Sequence, residues 1–439
     1  MGRFKPFSTE RAAERAILVG VDRGVGPWTC EDSLAELERL AQTDGAEVVF
    51  TLTQRLDKPV PKTFIGKGKV EELVGYVRRL DADVVIFDDE LTPSQQSNLE
   101  REVGEPVKII DRTALILDIF GEHARTHEGR LQVQLAQLQY VLPRLRGMWS
   151  HLVGEQTRGG IGGRFGQGES QLEVDRRLVR GRISFLKKEL QELEKRRGVQ
   201  SKARWDSGIY RVALVGYTNA GKSTLLNQLT GAGVYAKDEL FATLDPTTRS
   251  FDLAEGRKIT LTDTVGFIQK LPTTLVEAFK STLSEVRAAD LLLLVVDASD
   301  PRRQDELDAV VSILGDIGAE GIRRLVVLNK ADLLTQDELR SIAVAYPEAV
   351  MISARDGKGI DSLLYRIGRE ASQGDETLTV LVPYEKGLLL KMVHERCQVM
   401  REQYVDGGLL ATVKASERMR LTLDPYRVAD SGDETVEQQ

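Results

Sequence analysis

The 439-residue chain has two cysteines, four histidines and no long apolar run. Cys30 and Cys397 lie far apart and lack the spacing of metal ligands, which predicts a reducing compartment and no zinc site. The charged stretch from Met1 to Ala13 has no apolar core, so we expect no secretory signal. The longest aliphatic runs, such as Leu291 to Val296, are too short to span a bilayer. These absences predict a cytoplasmic protein without a membrane segment.

Basic charge is concentrated in one part of the chain. The composition, 41% hydrophobic and 29% charged, is ordinary for a globular protein. The length predicts roughly two to four domains. The net charge of the chain is −7, yet the segment from Arg144 to Arg204 contains fifteen Lys and Arg residues and only seven Asp and Glu residues. This segment therefore carries +8 and the remainder −15. Such segregation indicates a segment that faces a polyanion.

One stretch follows the phosphate-binding pattern G-x-x-x-x-G-K-[ST]. It lies between an apolar strand, residues 212–215, and a helix that Gly231 is expected to end. Its glycines let backbone N–H groups curl around an anion, and the helix N-terminus adds partial positive charge. We expect Lys222 to contact the β- and γ-phosphates and the Ser223 hydroxyl to bind Mg²⁺. The predicted phosphate-binding residues are Gly216, Tyr217, Thr218, Asn219, Ala220, Gly221, Lys222, Ser223 and Thr224.

Two further motifs predict which base is bound. Asn329-Lys330-Ala331-Asp332 and Ser353-Ala354-Arg355 each follow an apolar strand. The Asp332 carboxylate can accept hydrogen bonds from guanine N1–H and the 2-amino group, whereas adenine would leave it unpaired. Sites of this kind reject the wrong partner by roughly 10⁴–10⁵. We expect Asn329 to brace the loop, the Lys330 stem to cover the base, and a backbone N–H near Ala354 to reach guanine O6.

Another motif is expected at the γ-phosphate. It is Asp263-Thr264-Val265-Gly266, again after an apolar strand. Asp263 is expected to bind Mg²⁺ through water, and the Gly266 N–H to contact the γ-phosphate. Ligands of open α/β sheets bind at the carboxyl ends of strands, where all these motifs lie. The ordered set predicts a GTPase.

Two features between and after these motifs concern hydrolysis. A GTPase needs a mobile threonine before Asp263 to complete the Mg²⁺ coordination, and the spacing allows Thr243, Thr247 or Thr248. In Ras-like proteins a water-orienting glutamine follows the last glycine, but here Phe267 follows Gly266. An apolar side chain cannot orient water. We therefore expect slow intrinsic hydrolysis and a partner that accelerates it by about 10³–10⁵.

The basic segment is predicted to form a helical hairpin. Mostly apolar residues recur at spacings of three and four in two stripes, which predicts two packed helices. The first stripe runs from Leu131 to Trp149, and the second is Leu172, Arg176, Val179, Ile183, Leu186, Leu190 and Leu193. Pro143 is expected to kink or break the first helix. The glycine-rich loop 154–168 between them is either a flexible connector or a basic tip that contacts RNA phosphates and bases. The candidate RNA contacts are Arg158, Arg164, Phe165, Arg176, Arg177 and Arg180.

The predicted fold class is α/β, with a Ras-like P-loop GTPase domain as its largest part. Apolar strands alternate with helices from about Arg15 to Ala124, which predicts a small parallel α/β domain before the hairpin. A small α+β domain should follow, with a strand at 378–382, a helix from Gly387 to Gln403, and paired strands at 409–413 and 420–423. The predicted limits are 1–125, 126–207 for the hairpin, 208–372 for the GTPase domain, 376–427 for the α+β domain, and 428–439 for a disordered acidic tail.

The motifs resemble those of the HflX family of ribosome-associated GTPases, within the Obg–HflX group, over nearly the whole chain. The resemblance depends on the phosphate loop, on residues 241–249 and 263–268, and on the glycine-rich loop before Phe165. It implies that Thr243 is the second protein ligand of Mg²⁺ and that Lys222, Thr243 and Gly266 form the catalytic set. Nucleotide contacts are also expected from Phe241, Ala242, Thr243, Leu244 and Asp245.

The resemblance further implies a cytoplasmic monomer that binds the large ribosomal subunit and its rRNA in the GTP form. Hydrolysis would be stimulated there, and stalled or idle ribosomes would be split. Alternatives are a ribosome biogenesis GTPase, a tRNA-modifying GTPase or a passive nucleotide sensor. A tRNA-modifying enzyme needs a reactive cysteine or cofactor module near the C-terminus, whereas Cys397 lies in a predicted amphipathic helix. A passive sensor would not need the complete set of Lys222, Ser223, Thr243 and Asp263.

Overall fold

The structure is a computed structural model that describes residues 13–24, 26, 28–145, 167–205, 209–231, 240–241, 244, 246–253, 256–270 and 280–428. The chain divides into two compact units. The first comprises Met1–Glu192, Asp238–Leu244 and Gln269–Phe279. The second comprises Leu193–Lys237, Asp245–Ile268 and Lys280–Gln439.

The first unit contains a four-stranded parallel sheet in the order β2-β1-β3-β4, as the alternating pattern predicts. Strands β1 and β3 are buried on both faces, because α1 and α4 pack together as one pair and α2 and α3 as another. The strands are β1 (Arg15–Asp22), β2 (Glu47–Arg55), β3 (Val84–Phe87) and β4 (Lys108–Asp111). The helices are α1 (Cys30–Thr43), α2 (Lys67–Leu80), α3 (Pro93–Val103) and α4 (Arg112–His123).

Two further helices correspond to the predicted hairpin. Helix α5 (His127–Val141) begins after Thr126, whose hydroxyl accepts a hydrogen bond from the Gly129 N–H at 3.0 Å. It ends before Pro143, as the missing N–H of proline requires. Helix α6 (Gln167–Trp205) carries the second predicted stripe, in which Leu186 and Leu190 are buried. The predicted RNA contacts Arg158, Arg164 and Phe165 lie outside the described residues.

The second unit contains a six-stranded sheet in the order β10-β9-β8-β5-β7-β6, parallel except for β6. Its central strands are continuous apolar runs because both faces of the sheet are buried, and the side chains of one face form one hydrophobic core. The strands are β5 (Tyr210–Gly216), β6 (Thr247–Asp252), β7 (Lys258–Asp263), β8 (Leu291–Asp297), β9 (Arg323–Asn329) and β10 (Val350–Met351). The helices are α7 (Lys222–Thr230), α8 (Lys280–Arg287), α9 (Arg303–Asp316), α10 (Gln336–Ala345) and α11 (Ile360–Ala371).

The end of the chain forms an antiparallel sheet in the order β11-β13-β12. Two predictions made for it are wrong. The helix expected over 387–403 ends at Arg396, and the residues after Cys397 form a strand instead. The strand expected over 420–423 is helical. The elements are β11 (Glu376–Pro383), α12 (Gly387–Arg396), β12 (Gln398–Val405), β13 (Gly408–Ala415) and α13 (Glu417–Leu423).

Tertiary packing explains both differences. The side chains of β12 are mostly exposed, so no apolar alternation marks it as a strand, and its extended form is fixed by hydrogen bonds to β13. In α13, Met419 and Leu423 are four residues apart and both are buried in the core of this small sheet. That spacing places them on one face of a helix.

Candidate nucleotide site

The phosphate loop connects the carboxyl end of β5 to the start of α7. Two of its glycines are required by space. A Cβ at Gly216 would lie 2.1 Å from the Val295 carbonyl oxygen, and one at Gly221 would lie 2.2 Å from Asn329 Nδ2. Gly221 also has φ +92°, a conformation that favours glycine. The loop therefore starts α7 with its N–H groups available to an anion, as at other phosphate-binding helix termini.

Lys222 is buried at the first position of α7. Its ammonium donates to the Tyr217 carbonyl at 2.7 Å and to the Gly216 carbonyl at 3.2 Å. An ammonium has three donors, so one hydrogen remains for a phosphate. Burial lowers the pKa of Lys222 to about 8, although nearby Asp263 and Glu306 act in the opposite direction. A bound phosphate would supply the missing negative charge.

Two of the predicted Mg²⁺ ligands lie side by side. The Ser223 hydroxyl donates to Asp263 Oδ2 at 2.7 Å, and Asp263 is fully buried. A hydroxyl and a carboxylate are oxygen ligands of the kind that Mg²⁺ prefers, so the pair fits this ion. The third predicted ligand, Thr243, lies outside the described residues, together with Ala242 and Asp245.

The segment after Asp263 is hydrogen-bonded to the phosphate loop. The Thr218 N–H donates to the Phe267 carbonyl at 2.8 Å, and the Phe267 N–H donates to the Gly216 carbonyl at 3.1 Å. Thr264 donates its hydroxyl to the Leu214 carbonyl at 2.7 Å. A Cβ at Gly266 would lie 2.9 Å from the Thr218 Cα, so only glycine fits there. The Phe267 side chain is 1% exposed and therefore belongs to the core.

One side chain connects three of the predicted motifs. Asn329 Nδ2 donates to the Ala220 carbonyl at 2.9 Å, and Asn329 Oδ1 accepts from the Ala354 N–H at 2.9 Å. The phosphate loop, the end of β9 and the loop after β10 are thereby fixed to one another. Asn329 is 2% exposed, so both bonds are protected from water.

The base-recognition residues lie at the carboxyl ends of β9 and β10. A hydrogen bond with Ser353 lowers the pKa of Asp332, which favours its charged form. Lys330 has φ +62°, and its ammonium lies 2.7 Å from Asp297 Oδ2. Asp297 therefore orients the lysine predicted to cover the base. Sequence reasoning missed Asp297, although its place at the end of the apolar strand β8 was a usable signal. Arg355 is exposed next to this group.

The structure describes four other predicted nucleotide contacts. Phe241 and Leu244 are buried in the first unit, where the Phe241 ring meets Phe120 edge to face at 4.6 Å. Val265 is buried in the second unit, and Thr224 is half-buried in α7.

The RNA candidates that the structure describes lie on α6. Arg177 and Arg180 are exposed, and Arg176 is half-buried. Sequence reasoning missed a neighbouring pair: the Arg182 guanidinium lies 5.2 Å from the Phe185 ring centroid, and Phe185 is 54% exposed. An exposed aromatic ring beside arginines is suited to stacking on a base.

The sheet, the phosphate loop and the two motifs predicted to recognise guanine define a P-loop GTPase. Three family models match in order: GTP-binding GTPase N-terminal at 31–121, GTP-binding GTPase Middle Region at 123–204, and 50S ribosome-binding GTPase at 211–330. GTPase HflX of Caldanaerobacter subterraneus is 48% identical, covering 93% of this chain and 94% of the relative. GTPase HflX of Escherichia coli is 43% identical, covering 92% and 93%. The chain belongs to the HflX family of GTPases and is a GTP-hydrolysing enzyme.

One solved structure to which the chain is similar is the complex of SsGBP with GDP. It is 26% identical, has a TM-score of 0.46, and covers 82% of this chain and 99% of its own. Within the part of the chain that the structure describes, no helix has the length and apolarity needed to cross a bilayer.

Proposed function

We propose that this GTPase binds the large ribosomal subunit and its rRNA in the GTP form, hydrolyses GTP faster there, and splits stalled or idle ribosomes. The proposal rests on the basic face of α6, which comprises Arg176, Arg177 and Arg180. Arginines grouped on one helix face can bind the phosphates of RNA. A matched family model described as a 50S ribosome-binding GTPase supports the choice of partner. The protein is expected to act in the cytoplasm as a monomer.

The phosphate-loop residues, from Gly216 to Thr224, are proposed to hold the triphosphate. Lys222 would contact the β- and γ-phosphates through its free N–H, and the Gly266 N–H would contact the γ-phosphate. Ser223 and Thr243 are the proposed direct ligands of Mg²⁺, and Asp263 would bind the ion through water. The ion would supply charge stabilisation at the phosphates. Asp332 would select guanine, and Asn329 would keep the recognition loops in register with the phosphate loop.

The tRNA-modifying alternative is disfavoured by the surroundings of Cys397. Its thiol is 1% exposed in the core of the small C-terminal sheet. Burial raises the pKa of Cys397 to about 12, so the nucleophilic thiolate is scarce at neutral pH. This cysteine therefore serves packing, and it does not supply the reactive thiol that such an enzyme needs.

The proposed partner can be tested through turnover. We expect large subunits to raise steady-state GTP hydrolysis at least about tenfold, and the ratio of stimulated to unstimulated turnover to fall about fivefold in the double variant R177E/R180E. Arg340→Glu is a matched control, because this arginine is 81% exposed on α10 and outside the basic face. Equal turnover with and without subunits would contradict the proposal. Light scattering of intact ribosomes then separates splitting from a role in biogenesis.

A separate prediction concerns the residue at the position of the Ras glutamine. Phe267→Gln is expected to leave turnover of the isolated protein within about threefold of wild type, because backbone bonds to the phosphate loop hold residue 267 with its side chain in the core. An amide there would be buried without a partner and would cost about 1–3 kcal/mol of stability. Phe267→Leu is the matched apolar control. A rise of about a hundredfold in the isolated protein would show that only the glutamine was lacking.

A further inference from the structure

A cavity of about 370 Å³ lies within the second unit, at the opposite edge of the six-stranded sheet from the phosphate loop. Its wall includes the amino ends of β5 and β7 and Asp290, which precedes β8. The wall also includes the end of α11 and the connection from it to β11. It is completed by the end of α12 and the start of α13. The GTPase sheet and the small C-terminal sheet therefore both contribute to it. Cavities of about 300–1,000 Å³ are the usual size for small-molecule ligands.

Most charges in the wall are compensated by other residues. The Arg257 guanidinium is 4% exposed, donates to the Ala371 carbonyl at 2.6 Å and pairs with the Asp375 carboxylate. Arg211 donates to Asp290 at 3.0 Å. These two arginines are therefore structural, because each already has a carboxylate partner at hydrogen-bond distance.

Arg396 differs from them. The residue is half-buried, and its Nε is buried without a hydrogen-bond partner, as is the Nε of Arg257. Unlike Arg211 and Arg257, however, Arg396 has no ion pair among the described residues. Burial lowers the pKa of Arg396, although the nearby Glu395 carboxylate acts in the opposite direction. Lys258, also in the wall, is only weakly paired, since its ammonium lies 3.6 Å from Glu395. Buried polar atoms are nearly always satisfied, so the unpartnered Nε and the lack of an ion pair leave this guanidinium available to an anionic ligand.

We propose that this cavity binds a small oxyanion, a molecule with a phosphate or carboxylate group, through the Arg396 guanidinium with Lys258 as a second contact. A planar guanidinium matches both groups by paired hydrogen bonds. The site is separate from the nucleotide site, because β5 and β7 reach the phosphate loop and Asp263 only at their other ends. A bound ligand would join the GTPase sheet to the C-terminal sheet.

The test uses the full-length protein saturated with GDP, so that the phosphate loop is occupied. Inorganic phosphate and acetate are titrated separately by isothermal titration calorimetry, with chloride keeping the ionic strength constant. We expect saturable binding of at least one probe, and a loss of affinity of at least about tenfold in Arg396→Gln. Arg369→Gln is the matched control, because this arginine is exposed on α11 and is not part of the cavity wall. It should bind like wild type.

The two probes separate the two sources of negative charge. Binding of phosphate alone supports a phosphorylated ligand, and binding of acetate alone supports a carboxylate. The proposal is overturned if neither probe binds saturably to wild type, or if Arg396→Gln binds both with unchanged affinity. Should Arg396→Gln fail to retain GDP, Lys258→Gln replaces it with the same expected direction, and unchanged affinity in that variant overturns the proposal.

Discussion

Replacing Asp332 by asparagine is expected to lower the affinity for GDP by about a thousandfold. The carboxylate is proposed to accept two charge-assisted hydrogen bonds from guanine, each of about 1.5–3 kcal/mol. Its pKa is lowered by Ser353, so it is charged and ready to accept throughout the neutral range. Asparagine keeps the shape, but it loses the charge and turns one acceptor into a donor.

The same variant should gain affinity for a different nucleotide, which an unfolded protein would not do. The asparagine amide can donate to a 2-oxo group, so binding of xanthosine diphosphate should increase while binding of GDP decreases. Fluorescence titration with labelled diphosphates measures both. Asp337→Asn is the control, since that carboxylate is 94% exposed on α10 and makes no proposed nucleotide contact. Wild-type affinity for GDP in Asp332→Asn would reject the assignment of Asp332 to the base.

The nucleotide site could be predicted from the sequence because each motif is local and follows an apolar strand. Once parallel strands are recognised, their carboxyl ends must meet at one edge of the sheet. What could not be predicted was how the loops are held. Asn329 was expected to brace its own loop, yet its two partners are Ala220 and Ala354, which belong to two other loops. Asp297 is the last residue of β8 and belongs to no predicted motif, so its position at the strand end was the only sequence signal, and the ion pair with Lys330 identifies its role.

The C-terminal domain could be predicted less well, because the conformation of one of its strands is fixed by pairing with a neighbouring strand. Residues 398–405 carry a charged, mostly exposed pattern that has neither helical nor strand periodicity. Their conformation depends on hydrogen bonds to the partner strand β13. The two-residue turn Asp406-Gly407 joins β12 to β13 and is a local hairpin signal that sequence reasoning missed. Parallel strands buried on both faces, such as β8, carry their own signal, whereas an exposed edge strand does not.

Replacing Lys222 by methionine is expected to reduce GTP turnover at least about a thousandfold. Removing a single charged donor from a developing phosphate charge costs about 10²–10³ in rate. Here the same ammonium also holds the carbonyls of Gly216 and Tyr217, which methionine would leave unpaired in a buried loop. Lys391→Met, an exposed position on α12, is the control and should hydrolyse GTP like wild type.

Lys222 should also give GDP binding a characteristic pH dependence. Burial lowers its pKa to about 8 in the free protein, and phosphates favour the ammonium form, so the bound pKa must be higher. Above pH 8 the free protein has to take up a proton in order to bind. Affinity should therefore fall with rising pH, by about eightfold from pH 7.5 to 9. Ionisation of the base contributes equally in Lys222→Met, so the difference between the two proteins isolates the lysine. Identical pH profiles would show that the Lys222 ammonium does not contact the phosphates.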